Sequence, residues 1–393
     1  MNRQNQKSSI CIVCHKAYGA LSGGFSGHVG GIERQLSILA RWLVDQGHEV
    51  SVLTWDEGGD PIEWINGVRV IKICRQKAGL PGLRFVHPKW TGLVRAMRLA
   101  DADVYYQSGA ECVTGQVAMW CKSNKRKFIF STACDSNCSA ALPALHTWRE
   151  RFLYRYGLRN ADHIVTQTEK QRKDLMRNLG AESGVIRYAC PKPSGSTRPR
   201  DLAYENKRIL WLARVCRQKR PDRLLELAVL CPEFIFDLVG PVYPDAYSQD
   251  VIARAKKLKN VIVHGSASRE MVSAYYEKAF CLCCTSDNEG FPNTFLEAWS
   301  NGLPVVSTFD PDSLIAKREL GFSVENVEQM ASMLHHLADS KDLYCEISSR
   351  ARDYFLAHHT PEVVLPQYEE VFRSVSVDQG RLGNHAAGRK EFV

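Results

Sequence analysis

The chain lacks any apolar run of the roughly 18–20 residues that a membrane-spanning helix needs. Its opening residues, Met1 to Ser9, are polar and run straight into a short strand-like segment, without the apolar stretch of a secretory leader. The expectation is a cytoplasmic chain. No G-x-G-x-x-G occurs, so the dinucleotide fingerprint is unmet and an oxidoreductase is disfavoured. Cys11 and Cys14 form a C-x-x-C, but no second Cys/His pair follows at zinc-finger spacing. Basic residues are not interleaved with aromatics as in a nucleic-acid module, and no nucleic-acid partner is expected. No repeat of solenoid period is present.

What remains is ordinary globular composition: 393 residues, 45% hydrophobic and 24% charged. That length suits two domains better than one core. The 14 cysteines, in a cytosolic context, read as free thiols. Cys281, Cys283 and Cys284, like Cys11 and Cys14, sit in apolar runs and are expected in the core. Net charge is +8, with basic groups at Lys122, Lys125, Arg126 and Lys127 and again at Arg149, Arg151, Arg155 and Arg159. Such a face attracts acidic lipid headgroups or phosphorylated ligands, or is simply solvated.

Short apolar runs alternate with helical patterns along the whole chain. Residues 10–14, 50–53, 68–73, 104–106, 128–130 and 164–166 read as buried strands, and 32–44 as an amphipathic helix. After a Pro- and Ser-rich stretch the alternation restarts, with strands expected at 209–212, 235–239, 261–263, 280–283 and 305–306. This pattern predicts an α/β protein of two Rossmann-like, doubly wound parallel-sheet domains. The expected divisions are an N-terminal domain at 1–190 and a linker at 191–205. A second domain follows at 206–358. A C-terminal helix with tail, 359–393, is expected to cross back to the N-terminal domain.

The segment 285–308 reads TSDNEGFPNTFLEAWSNGLPVVST. A strand ends just before it, and a helix is expected from about Asn293. Glu289 falls in the loop at the strand's carboxyl end, the edge where open α/β sheets bind ligands. The helix N-terminus presents unpaired N–H groups that suit a diphosphate. Gly290 permits close backbone approach, and Pro292 stiffens the turn. Glu297 lies about one turn inside, so two carboxylates would flank one polyhydroxylated ligand and accept its hydroxyl hydrogens. Upstream, Arg214 ends a strand and Lys219 follows five residues later, before Arg220 and Pro221. Two cations there suit a leaving diphosphate.

At these residues the sequence resembles the retaining glycosyltransferases of family four, which have the GT-B fold of two such domains facing a cleft. Their E-G-F-[PG]-x-x-x-x-E-A signature is matched by Glu289, Gly290, Phe291, Pro292, Glu297 and Ala298. The resemblance implies that Glu289 contacts the donor sugar and Glu297 the ribose. It implies that Gly290 and Phe291 border the donor, that backbone near Asn293 and Thr294 holds sugar or phosphate, and that Arg214 and Lys219 are phosphate ligands. The family's glycines beside those two cations are Ala213 and Arg220 here. In the first domain, residues 22–33 read SGGFSGHVGGIE, and the resemblance places Gly30 and Gly31 in a loop bordering acceptor and donor phosphate. His28 in that loop is a candidate acceptor ligand. Many family members carry a His after a middle strand of the first domain. Residues 128–138, FIFSTACDSNC, have none, and Asp135 is the polar group left to position an acceptor.

The implied activity is transfer of a sugar, with retention, from a nucleoside-diphosphate sugar to a hydroxyl of a glycan or lipid-linked glycan. No cofactor or metal is expected, the two cations standing where other transferases use one. Alternatives are a sugar-nucleotide epimerase or phosphorylase on the same fold, or a non-catalytic two-lobe sugar-binding protein. Residues 144–159 suggest a helix with Leu145, Trp148, Phe152 and Tyr156 on one stripe and arginines off it. Such a helix either packs its stripe on the first sheet or lies against an anionic membrane surface, which would make the protein peripheral.

Overall fold

The computed structural model describes residues 7–23, 30–193 and 200–386. Two compact units share the chain, 1–187 with 364–393 and 188–363. The divisions thus fall at 187/188 and 363/364 rather than at 190 and 359. The stretch read as a linker, 191–205, lies within the second unit, where Arg200–Asn206 is helical.

The first unit holds eight strands: β1 (Ser9–Val13), β2 (Glu49–Thr54), β3 (Ile62–Ile65), β4 (Val68–Lys72), β5 (Val104–Ser108), β6 (Lys127–Ser131), β7 (His163–Thr166) and β8 (Gly184–Val185). They lie in the order β3-β4-β2-β1-β5-β6-β7-β8, parallel except for β3. The central strands are buried nearly throughout, as strands covered on both faces must be. β3, β8 and, in the second unit, the strand Gly321–Ser323 lie outside the strands expected from the sequence, and β3 is the one set by a local signal. It pairs with β4 through a two-residue turn, Asn66–Gly67, in which both residues have positive φ. Asn-Gly is the residue pair that such a hairpin favours.

The second unit holds six parallel strands: β9 (Arg208–Leu212), β10 (Ile235–Val239), β11 (Val261–Gly265), β12 (Cys281–Cys284), β13 (Val305–Ser307) and β14 (Gly321–Ser323). Their order is β11-β10-β9-β12-β13-β14. Each sheet therefore reverses its winding once, between β1 and β5 in the first unit and between β9 and β12 in the second. Loops leaving the carboxyl ends of those neighbours diverge to opposite faces and leave a crevice.

All fourteen cysteines are free, and Cys11, Cys14, Cys281, Cys283 and Cys284 are buried. Burial pushes the Cys11 and Cys14 thiols far up, as expected of core groups. The last helix, Pro361–Ala386, returns the chain to the first unit. There Tyr368 and Phe372 meet Tyr106 of β5 edge-on at 6.2 and 5.7 Å, and Glu369 lies 3.3 Å from His48.

The helix Trp148–Arg159 corrects one expectation. Its inward face is Leu153, Tyr154, Gly157 and Leu158, not the aromatic stripe. Gly157 has no room for a Cβ, which would come within 2.8 Å of Thr114 backbone. This close approach to the helix Cys112–Ser123 turns the Gly157 face inward and leaves Trp148 and Phe152 outside. Of the expected stripe, only Leu145, which precedes the helix, is fully buried.

Candidate functional site

The crevice of the second unit lies between the loops that follow β9 and β12. After β9 the chain makes a short turn, Arg217–Lys219, and then Arg220 takes a left-handed conformation with φ 48°. A left-handed residue is where glycine is usual. Arginine is held there by bonds from its guanidinium to Asp222 at 2.7 Å and Asp287 at 3.4 Å. Burial alone would push the Asp222 carboxyl up. The bonds from Arg220 and from the Tyr247 hydroxyl outweigh it and hold the carboxyl below its ordinary value.

The turn is latched to the β12 loop by several bonds. Gln218 donates to the Asn288 carbonyl at 2.8 Å, and Asp287 N–H donates to the Gln218 carbonyl at 3.2 Å. The Thr285 hydroxyl donates to the Lys219 carbonyl at 2.8 Å and accepts from the Trp211 indole at 2.9 Å. With both loops tied down, the Lys219 ammonium and the Glu289 carboxylate form an ion pair across the crevice. Both side chains are largely but not wholly buried. A cation that can donate to phosphate oxygens and a carboxylate that can accept from hydroxyls therefore sit in contact.

Arg214 lies on the β9 loop with an exposed side chain. Its stretch of backbone is pinned to the loop after β10: Val215 N–H donates to the Pro241 carbonyl and Tyr243 N–H to the Val215 carbonyl, at 2.9 and 3.1 Å. Gly240 makes this approach feasible. Its φ is 143°, and a Cβ there would collide with the Ala213 carbonyl. Gly240 was not among the expected site residues, although a glycine closing an apolar strand is a recognisable signal.

The helix Asn293–Ser300 starts after Pro292 with no side chain capping it, so Asn293 and Thr294 occupy its first turn. Glu297 is buried within it. Gly290 is buried too. Phe291 turns into the core. Its ring is 4% exposed and packs 5.3 Å from the His359 ring and 6.4 Å from the Trp299 ring. It anchors the loop in the core, a correction to its expected place on the donor.

In the first unit, Gly30 precedes the helix Gly31–Asp45 and Gly31 opens it. His28 lies outside the described residues. Asp135 accepts from Gln171 at 3.1 Å and pairs with Lys170 at 2.9 Å, both on the helix Glu169–Leu179. The crevice of this unit, between β1 and β5, instead carries a pair that sequence analysis missed. His15 follows β1, stacks on Trp55 at 4.0 Å, and places Nδ1 3.4 Å from Glu111, which follows β5. Burial alone would push the Glu111 carboxyl up. The bond and charge of His15, with Lys16, outweigh it and hold the carboxyl below its ordinary value. Polar residues within three positions of each strand's end were the available signal.

Two Asp-x-Asp triplets, Asp101–Asp103 and Asp310–Asp312, stand in the chain where the metal-free expectation counted none, and members of both have structural partners. Asp103 accepts from Ser9 and Arg126, and Asp101 from Arg126. Asp310 accepts the Ile315 and Ala316 N–H groups at 2.8 and 3.1 Å. Among the described residues no cluster of three or more His, Cys, Asp or Glu side chains could hold a metal ion.

Two doubly wound α/β units with a cation–carboxylate pair at a crevice define a nucleotide-binding class of fold. A glycosyl transferase 4-like domain matches residues 30–191, and the domain described as glycosyl transferases group 1 matches residues 203–340. The chain belongs to these family-4-like glycosyltransferases, with the GT-B type of fold. It is 29% identical over 202 residues to an uncharacterised glycosyltransferase of Haemophilus influenzae, covering 49% of this chain and 56% of that protein. It is 21% identical over 387 residues to the 2-deoxystreptamine N-acetyl-D-glucosaminyltransferase of Niallia circulans, covering 88% and 98%. The chain spans about half the length of the first curated relatives it matches. Among solved structures, Anabaena HepE in complex with UDP and glucose matches with a TM-score of 0.74 at 16% identity, covering 93% of this chain and all of that one.

Proposed function

We propose that the protein is a retaining glycosyltransferase that moves a sugar from a nucleoside-diphosphate sugar to a hydroxyl of a glycan acceptor, without a metal. The observation that carries the reading is the Lys219–Glu289 pair, set at the β9/β12 crevice beside the start of the helix Asn293–Ser300. The diphosphate would lie against Lys219, Arg214 and the helix N-terminus, and the sugar hydroxyls would donate to Glu289. Buried Glu297 would serve the ribose. As the bond from the anomeric carbon to the phosphate oxygen breaks, its electron pair passes to the diphosphate. The two cations stabilise that charge. The acceptor oxygen bonds to the anomeric carbon on the same face, and its proton passes to the leaving phosphate. The protein contributes position and electrostatics rather than a nucleophile.

The acceptor is a lipid-linked or cell-surface glycan precursor, met at the cytoplasmic face of a membrane by a peripheral protein. A uridine nucleotide is the first donor to test, since the Anabaena structure contains UDP and glucose. The deciding experiment follows nucleoside diphosphate release over a panel of sugar nucleotides, with and without candidate glycans, in EDTA. Acceptor-dependent release and a product whose anomeric configuration by NMR is that of the donor are expected. Loss of release in EDTA with recovery in manganese would overturn the metal-free reading. Binding of sugar nucleotide with no turnover across the panel would favour a sugar-binding protein instead.

A further inference from the structure

We infer that the first unit carries a docking surface for an anionic lipid bilayer, built from two elements far apart in sequence. It deepens the membrane contact proposed above and rests on that part of the reading. One element is the outward face of the helix Trp148–Arg159, where Trp148 is 81% and Phe152 59% exposed. The other is the segment 79–87, where Leu80, Leu83 and Val86 are 70%, 65% and 56% exposed. The Arg149 guanidinium lies 3.9 Å from the centre of the Phe85 ring and joins the two. Large apolar side chains gathered at one place on a surface mark an interaction site rather than ordinary scatter.

Charge selects the occupant. From Arg75 to Ala100 the chain has six Lys or Arg residues and no Asp or Glu. The helix Trp148–Arg159 has four arginines and one acid, and that acid, Glu150, is engaged by the Thr147 N–H at 2.9 Å. Exposed tryptophan and leucine among cations is the pattern of an interfacial contact, the apolar groups entering the acyl boundary and the cations meeting lipid phosphates. A protein partner with an acidic rim would also meet the charge. It would bury the apolar side chains in a shaped recess, whereas apolar side chains exposed on two separate elements suit a flat, deformable surface. No described helix is long and apolar enough to cross a membrane, so the contact is one of surface adsorption.

The test is co-sedimentation of the full chain with vesicles of phosphatidylcholine alone or with phosphatidylglycerol added, over a salt series. Binding to the anionic vesicles, weakening as salt rises, is expected. Trp148→Ser with Leu83→Ser, and separately Arg84→Glu with Arg149→Glu, should each weaken it by about tenfold or more. Circular dichroism melts confirm that each variant folds. Equal binding to both vesicle types at low salt, or unchanged binding of both folded variants, overturns the inference. So does a concentration-dependent dimer that the same substitutions abolish, which would assign the surface to a second copy. No sugar donor enters this assay, so its failure is separate from failure of the transferase reading, which the release assay reports.

Discussion

Lys219 and Glu289 stand 70 residues apart in sequence yet form an ion pair, because the strands that precede them are neighbours in the sheet. The pair has a consequence for binding. On the proposed reading the ammonium that would hold a diphosphate is paired with the carboxylate that would hold the sugar, so a nucleotide would compete with Glu289 for Lys219. Lys219→Ala and Arg214→Ala should each weaken UDP binding by about ten- to a hundredfold, the size of a charge-assisted hydrogen bond. Glu289→Ala should leave UDP affinity undiminished while cutting turnover at least about tenfold. Calorimetry and steady-state rates on the folded variants measure both, and a Glu289→Ala variant that binds UDP more weakly would contradict the competition.

Glu297 is buried one turn into its helix, so replacement by alanine would confuse binding with packing. Glu297→Gln keeps the volume and one acceptor oxygen. It should lower UDP affinity by about tenfold with a melting temperature close to that of the wild type. An unchanged affinity would remove Glu297 from the nucleotide site.

Gly240→Ala places a methyl group against the Ala213 carbonyl at a φ of 143°, which an L-residue avoids. The strain has no flexible neighbour to absorb it. A loss of about 3 kcal/mol is expected in urea unfolding. A variant as stable as the wild type would mean that the β9 and β10 loops do not approach as described.

Asp222 links pH to stability. Its carboxyl is held below the ordinary 3.8 when folded, so its contribution is fully present above that value and is lost as pH falls through the depressed one. Asp222→Asn should therefore be less stable than the wild type by about 1–2 kcal/mol at neutral pH. The gap should begin to close as pH falls below 3.8 and vanish once pH has passed the lower folded value. A gap that persists unchanged in acid would show that the effect is not one of charge.

The long buried strands, the helix starting at Asn293 and both members of the Lys219–Glu289 pair were legible from the residues, because apolar runs, helical periodicity and strand-end loops are local patterns, whereas the short edge strands Gly184–Val185 and Gly321–Ser323 carry too few residues for such a pattern. The Asn66–Gly67 hairpin was equally local and was passed over. Sequence alone also determined which residue types could serve a diphosphate and a sugar. It did not determine which of them meet. Asp135 and Lys170 pair because their elements pack together, and His15 reaches Glu111 only because β1 and β5 are neighbours at the reversal of the sheet. Phe291 looked like a ligand contact by its place in the motif, but its ring is large and apolar and a core was open to it. The aromatic stripe of the helix Trp148–Arg159 shows the same limit from the other side. Periodicity establishes that a stripe exists, but which face turns inward depends on the partner helix, and here two glycines, Gly115 and Gly157, decide it by close approach.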